Sequence, residues 1–180
     1  IPPENRTDTF TAAALSAPSQ SWLAALPPTI RLSDEIFLCH GTPEDDNTYL
    51  TEEIEGGGLR LAVDAAIQHN LGGENSPVIC CGHSHIPRLV HIAATGQTVF
   101  NPGSVGLPGY FADTPPSPHK AEAGSPHARY GLMEKTAAGW QYTVKVLPYP
   151  WDKAADEADR NRRPDWASPL RTGFYDTPGL

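Results

Sequence analysis

The chain is short of cysteine, of methionine and of positive charge, and it has no long apolar run. No stretch approaches the roughly 20 apolar residues that span a bilayer. The opening IPPENRTDTF lacks the charged-then-apolar pattern of a secretory leader. Lysine and arginine number 13 against 21 aspartate and glutamate, a net charge of -8. That balance argues against a nucleic-acid backbone or an anionic membrane as the main partner. The three cysteines, Cys39, Cys80 and Cys81, lie in apolar runs, and two of them are adjacent. An odd count in that pattern makes a poor disulfide framework and reads as buried, reduced thiols in a cytoplasm. The only methionine is Met133. Residue 1 is therefore not an initiator, and the expectation is a chain whose beginning is processed or carried elsewhere.

What is plentiful is punctuation. Nineteen prolines and 16 glycines fall between short ordered pieces, without an internal repeat. A length of 180 residues suits a single domain. A helix is predicted from about Ser21, stopped by Pro27 and Pro28. TIRLSDEIFLCHG reads as a hairpin, whose returning strand, Ile36 to Cys39, is apolar throughout and so expected to be covered on both faces. Leu59, Val63, Ala66 and Ile67 fall on one helical stripe, which predicts a helix beginning near Leu59. Val78 to Cys81 reads as a strand. Residues 88–104 read as a strand pair turning at Thr95-Gly96, and 130–149 as a hairpin turning near Gly139. Residues 107–129 form a Pro-rich loop insertion, too long for a simple connector. The tail, 152–180, opens as a polar helix carrying Ala154, Ala155 and Ala158 and is expected to be irregular after Pro164. Strand–helix–strand order at 36–81 makes the class a mixed α/β sandwich.

Seven histidines are present, and three share a setting. His40 ends the run Ile36–Cys39 and precedes Gly41. His83 follows Val78–Gly82, and His85 lies two residues on. Each stands where a strand ends and the chain turns out, the edge at which α/β proteins place ligands. In extended backbone, residues i and i+2 point to one side, about 6.6 Å apart. Two imidazoles so placed can ligate one metal, or two metals roughly 3.5–4 Å apart. Gly82 leaves room for the backbone to turn. His69 ends a helix, where a cation suits the dipole. His91 is expected to be exposed on its strand, and His119, inside the Pro-rich loop, has no assigned role. In SPHARYG, His127 and Arg129 precede a strand, and the arginine fork matches a phosphate. Glu44, Asp45 and Asp46 read as a solvated acidic turn.

CHGTP, CGHSHIP and FNPGSVGLP, in that order, resemble the calcineurin-like metallophosphoesterase family, and within it the small bacterial phosphodiesterase branch. The resemblance covers roughly residues 20–150. It implies an α/β fold, a two-sheet sandwich flanked by helices and incomplete at its N-terminal side, with a dinuclear centre of two divalent ions (Mn, Fe or Zn). By that resemblance His40 and His83 would ligate one metal and His85 the other. His127 and Arg129 are the candidate substrate-binding pair, and the substrate would be a small phosphoester. The family's Asp-x-His, Gly-Asp and Gly-Asn-His motifs do not occur before residue 40. The acid histidine and the bridging aspartate are therefore expected upstream of residue 1, and the chain alone is expected to be inactive. Two other readings stand beside this one. One is a non-catalytic protein-binding scaffold of the same fold, as in the retromer coat. The other is a mononuclear zinc hydrolase built on the same three histidines.

Overall fold

The apolar runs of the sequence become the middle of one mixed sheet. The computed structural model describes residues 6–113 and 117–176. Two helices, α1 (Arg6–Ala14) and α2 (Ala17–Ala24), lead into β1 (Thr29–Arg31) and β2 (Ile36–Cys39). A small hairpin, β3 (Glu52–Glu55) and β4 (Gly58–Leu61), precedes α3 (Asp64–Leu71) and β5 (Val78–Cys80). Three antiparallel pairs follow: β6 (Arg88–Ile92) with β7 (Gln97–Asn101), β8 (Gly109–Ala112) with β9 (His119–Glu122), and β10 (Ala128–Thr136) with β11 (Gly139–Leu147). Helices α4 (Trp151–Arg160) and α5 (Pro164–Thr172) close the described chain.

The principal sheet has the order β1-β2-β5-β7-β6. Its centre, β2, β5 and β7, is parallel, and the edges β1 and β6 run antiparallel. Side chains alternate between its faces. Phe37, Ile79 and Val99 point to the face covered by α3, where they join Ile67, Leu71, Leu50 and Ile92 in the main core. Cys80 and Phe100 point the other way, onto the β10–β11 ribbon. There Phe100 meets Tyr142 at 5.4 Å between ring centroids, and Cys80 Sγ lies 3.5 Å from Met133 Sδ. The molecule thus has the expected mixed α/β architecture, with strand layers stacked and helices flanking them. A second cluster, Ala155, Ala158, Ala167 and Leu170, packs α4 on α5.

Four stretches fold differently from their expectation. The helix predicted from about Ser21 begins at Ala17, where the Ser16 side chain caps it and Pro18 suits the first turn. The helix predicted from Leu59 begins at Asp64. Leu59 belongs instead to β4, paired with Ile54, because Gly56 and Gly57 take φ of 59° and 77° and turn the chain into a hairpin. Val63, counted into the helical stripe, is the exposed N-cap. The Pro-rich segment 107–129 contains the β8–β9 hairpin, whose connection includes residues 114–116, outside the described set. The tail is helical beyond Pro164, since a proline at the first helical position loses no hydrogen bond. Helix α1 carried no sequence signal strong enough to predict it.

Candidate functional site

The parallel pairing of β2 with β5, Leu38 opposite Cys80, brings their carboxyl ends to one edge of the sheet. His40 leaves the first strand there and His83 the second. The exits are tied directly, since the Gly82 N–H donates to the His40 carbonyl at 2.8 Å. The two rings consequently lie 5.1 Å apart, centroid to centroid, at 60°. Gly82 is not needed for space, because a Cβ there would make only ordinary contacts at 3.7–3.8 Å with His40.

The His-Ser-His step is not extended, contrary to the geometry assumed from the sequence. Ser84 N–H donates to Gly82 O at 2.7 Å, closing a three-residue turn on His83. His83 and His85 adopt φ of 62° and 61°, two of the three non-glycine residues with positive φ among those described. Left-handed backbone in a residue bearing a side chain costs of order 1–3 kcal/mol and gathers at functional sites.

The His83 and His85 imidazoles are each oriented by a backbone carbonyl. His83 donates through Nε2 to Asn47 O at 3.0 Å, and His85 through Nδ1 to Leu107 O at 2.7 Å. A carbonyl only accepts, so the proton sits on that nitrogen, and the other carries a lone pair: Nδ1 in His83, Nε2 in His85. Burial, and then the neighbouring His40, hold His83 below its usual pKa. Burial does the same for His85. Both rings are neutral near pH 7, the form that ligates metals. Tyr49 stacks on His83 at 4.6 Å, and Tyr110 donates to His83 O at 3.0 Å while its ring meets His85 edge-on at 4.9 Å.

His40, His83 and His85 line one cavity of about 440 Å³ together with Asp8, Asp165 and the aromatic residues Tyr110, Phe111, Trp166 and Tyr175. The donor chemistry fits a divalent cation: His83 and His85 are neutral imidazoles, each with one nitrogen fixed by a backbone carbonyl, the ordinary ligand arrangement. Among the described residues, no three of His, Cys, Asp and Glu are gathered closely enough to hold an ion unaided.

Other predicted residues lie elsewhere. Neither His127 nor Arg129 lines that cavity. Arg129 is buried, and its guanidinium donates to the carbonyls of Ala123, Ser125 and His127 and to Ser125 Oγ. His127 packs against Trp151 at 5.1 Å. Its position holds a loop, since a buried guanidinium must spend its donors. Glu44, Asp45 and Asp46 are exposed, as read, and so is His91. His119, left without a role, is buried in β9, with Nδ1 on Ser117 O and Nε2 2.7 Å from Tyr49 Oη. Sequence reasoning missed Asp8 and the aromatic wall. Their shared place depends on α1, β8 and α5 converging, and no local spacing reports that.

The architecture defines an α/β sandwich with an imidazole cluster at the exits of its central parallel strands. No family model and no curated protein matches the chain by sequence. Solved structures do match it. A metallophosphoesterase from Sphaerobacter thermophilus superposes with a TM-score of 0.67 at 18% identity, over 94% of this chain and 70% of its own. The hypothetical protein PH1004 from Pyrococcus horikoshii OT3 gives 0.65 at 15% identity, over 94% of this chain and 60% of its own. The chain has the metallophosphoesterase fold and spans about two thirds of the length of these two neighbours.

Proposed function

We propose that this chain contributes His40, His83 and His85 to the metal centre of a phosphoester hydrolase. The observation that supports it is the convergence of three strand-end imidazoles on one cavity, with His83 and His85 held by opposite nitrogens. The remaining ligands would come from outside the described residues, consistent with the greater length of both structural neighbours. When bound, divalent ions would supply Lewis acidity and a water nucleophile for in-line displacement at phosphorus. The chain's own part is to present neutral nitrogens and keep them oriented. The carbonyls of Asn47 and Leu107 fix the tautomers, and Tyr49 and Tyr110 hold the His83 ring and backbone. The aromatic wall would shelter the organic part of a small phosphoester.

The test is hydrolysis of bis(p-nitrophenyl) phosphate with added manganese, by the chain alone and by the chain joined to the coding sequence upstream of it. The reading predicts turnover only in the longer protein, and a loss of about 10²-fold or more in each of His83→Ala and His85→Ala. Undiminished turnover in both variants defeats it. One observation favours a second reading, a protein-binding scaffold. Trp22, Leu23, Leu26, Ile30 and Leu32 are all exposed along α2, β1 and the turn after it, an apolar strip of the kind that marks a binding surface. A stoichiometric partner recovered with metal-free protein would select that reading.

A further inference from the structure

His119 is buried in β9, 4% exposed. It pairs with Ala112 and Tyr110 pairs with Ala121, which puts His119 and Tyr110 on one face of the β8–β9 ribbon. An unbroken series of polar contacts runs from it to the candidate site. His119 Nδ1 is 2.8 Å from Ser117 O, and Nε2 is 2.7 Å from Tyr49 Oη. Tyr49 Oη is 2.8 Å from Tyr110 Oη, which in turn is 3.0 Å from His83 O. The two tyrosines also bracket the neighbouring rings, Tyr49 stacked on His83 and Tyr110 edge-on to His85. Tyr110 lines the cavity, whereas Tyr49 and His119 stand behind it.

The protons available set the direction of this chain. Both of its ends are carbonyl oxygens, Ser117 O and His83 O, which only accept. Each hydroxyl has one proton to give. Tyr110 therefore donates to His83 O, Tyr49 to Tyr110, and His119 through Nε2 to Tyr49, while its Nδ1–H serves Ser117 O. The complete chain requires His119 as an imidazolium, because a neutral ring has one proton fewer and leaves one contact unbonded. A buried cation is costly without partners, and here both N–H groups have acceptors. Hydrogen bonds in such a series polarise one another.

The charged groups around His119 are accounted for. Strand β8 carries none, and Arg60 of β4 pairs with Glu53 and Glu55. On β9 itself, Lys120 donates to Tyr175 O and Glu122 accepts the Tyr175 N–H. Asp45 and Asp46, before Tyr49, are exposed. Glu52 is buried and paired with Arg88.

We propose that His119 is a positioning residue for the candidate site: as an imidazolium it drives the Tyr49–Tyr110 chain onto the His83 carbonyl and steadies the turn that carries His83 and His85, and on losing a proton it releases that carbonyl. The inference rests on the reading of His83 and His85 as site residues, and its test needs no metal.

Imidazole ¹⁵N and backbone carbonyl ¹³C spectra, recorded between about pH 5 and 8, test it on the parent chain, Tyr49→Phe and Tyr110→Phe. In the parent, both His119 nitrogens carry protons at the acid end. The His83 carbonyl signal then shifts at the midpoint of His119, in a step separate from that of the His83 ring. In both variants His119 still titrates and that step is lost. A His119 that never carries two protons, a His83 carbonyl indifferent to it, or a parental step in folded Tyr49→Phe overturns the proposal. If Tyr110→Phe fails to fold, the parent titration and Tyr49→Phe decide. Failed phosphoester hydrolysis by the longer protein defeats the metal reading alone, so the two fail separately.

Discussion

A methyl group on Gly41 would sit 2.5 Å from the Thr48 carbonyl oxygen and 2.8 Å from those of Asp45 and Asp46. These are backbone atoms, which have no rotamer with which to retreat. The His-Gly pair at the end of β2 thus joins two different needs, the ligand proposed at His40 and clearance at Gly41. Gly41→Ala is expected to destabilise the chain by about 1–3 kcal/mol in urea unfolding, whereas Gly82→Ala, which has room, stays within about 1 kcal/mol. The cysteines give a second prediction. Burial pushes the Cys39 thiol up to about 12 and the Cys80 thiol up to about 11. A thiol whose pKa is raised by folding contributes stability that is complete below its unfolded value and is lost as pH rises toward the folded one. Stability should therefore hold up to about pH 8.5 and decline from there to pH 11–12. At pH 8, iodoacetamide should label the folded chain on the order of 100-fold more slowly than the urea-unfolded chain at Cys80. Equal labelling rates would contradict the burial described.

At the scale of elements, the ribbon β10–β11 seats on the principal sheet through a glycine. A Cβ on Gly131 would meet Phe100 Cε1 at 2.4 Å and Cζ at 2.8 Å, so any side chain pries the ribbon off the Phe100 ring. Gly131→Ala should cost about 1–3 kcal/mol, read from the urea midpoint, and should disturb the near-ultraviolet signal of Tyr142, which packs on Phe100. This ribbon was legible in the sequence because Trp140, Tyr142, Val144 and Val146 alternate and Gly139 supplies the turn, at φ 112°. Helix α4 was legible from its alanines. The β3–β4 hairpin was not. Its strands, EEIE and GLRL, are polar and short, and Leu59 mimicked the next helix by spacing alone. The β8–β9 hairpin was hidden by its prolines.

At the scale of the whole molecule, the fold sorts the histidines. Parallel strands β2 and β5 deliver His40 and His83 to one edge and one cavity, while His69, in the last turn of α3, and His91, on edge strand β6, do not line it. That sorting could be read in advance, because a histidine at the end of an apolar run announces its own position. The cavity walls could not, since Asp8, Tyr110 and Trp166 come from elements more than 50 residues apart and meet only in three dimensions. The left-handed turn at His83 and His85 was also invisible, since neither position is a glycine and the Asn101 amide that bonds Gly82 O and Ser84 Oγ lies 16 or more residues further along the chain.

The central proposal is that His40, His83 and His85 face one cavity as part of a metal centre. Paramagnetic broadening tests it most directly. Mn²⁺ added in small substoichiometric amounts to ¹⁵N-labelled chain should erase the imidazole signals of His40, His83 and His85 together, leaving those of His69 and His91 sharp. Persistence of the three signals, while the amides of the acidic turn Glu44–Asp46 broaden instead, would contradict it.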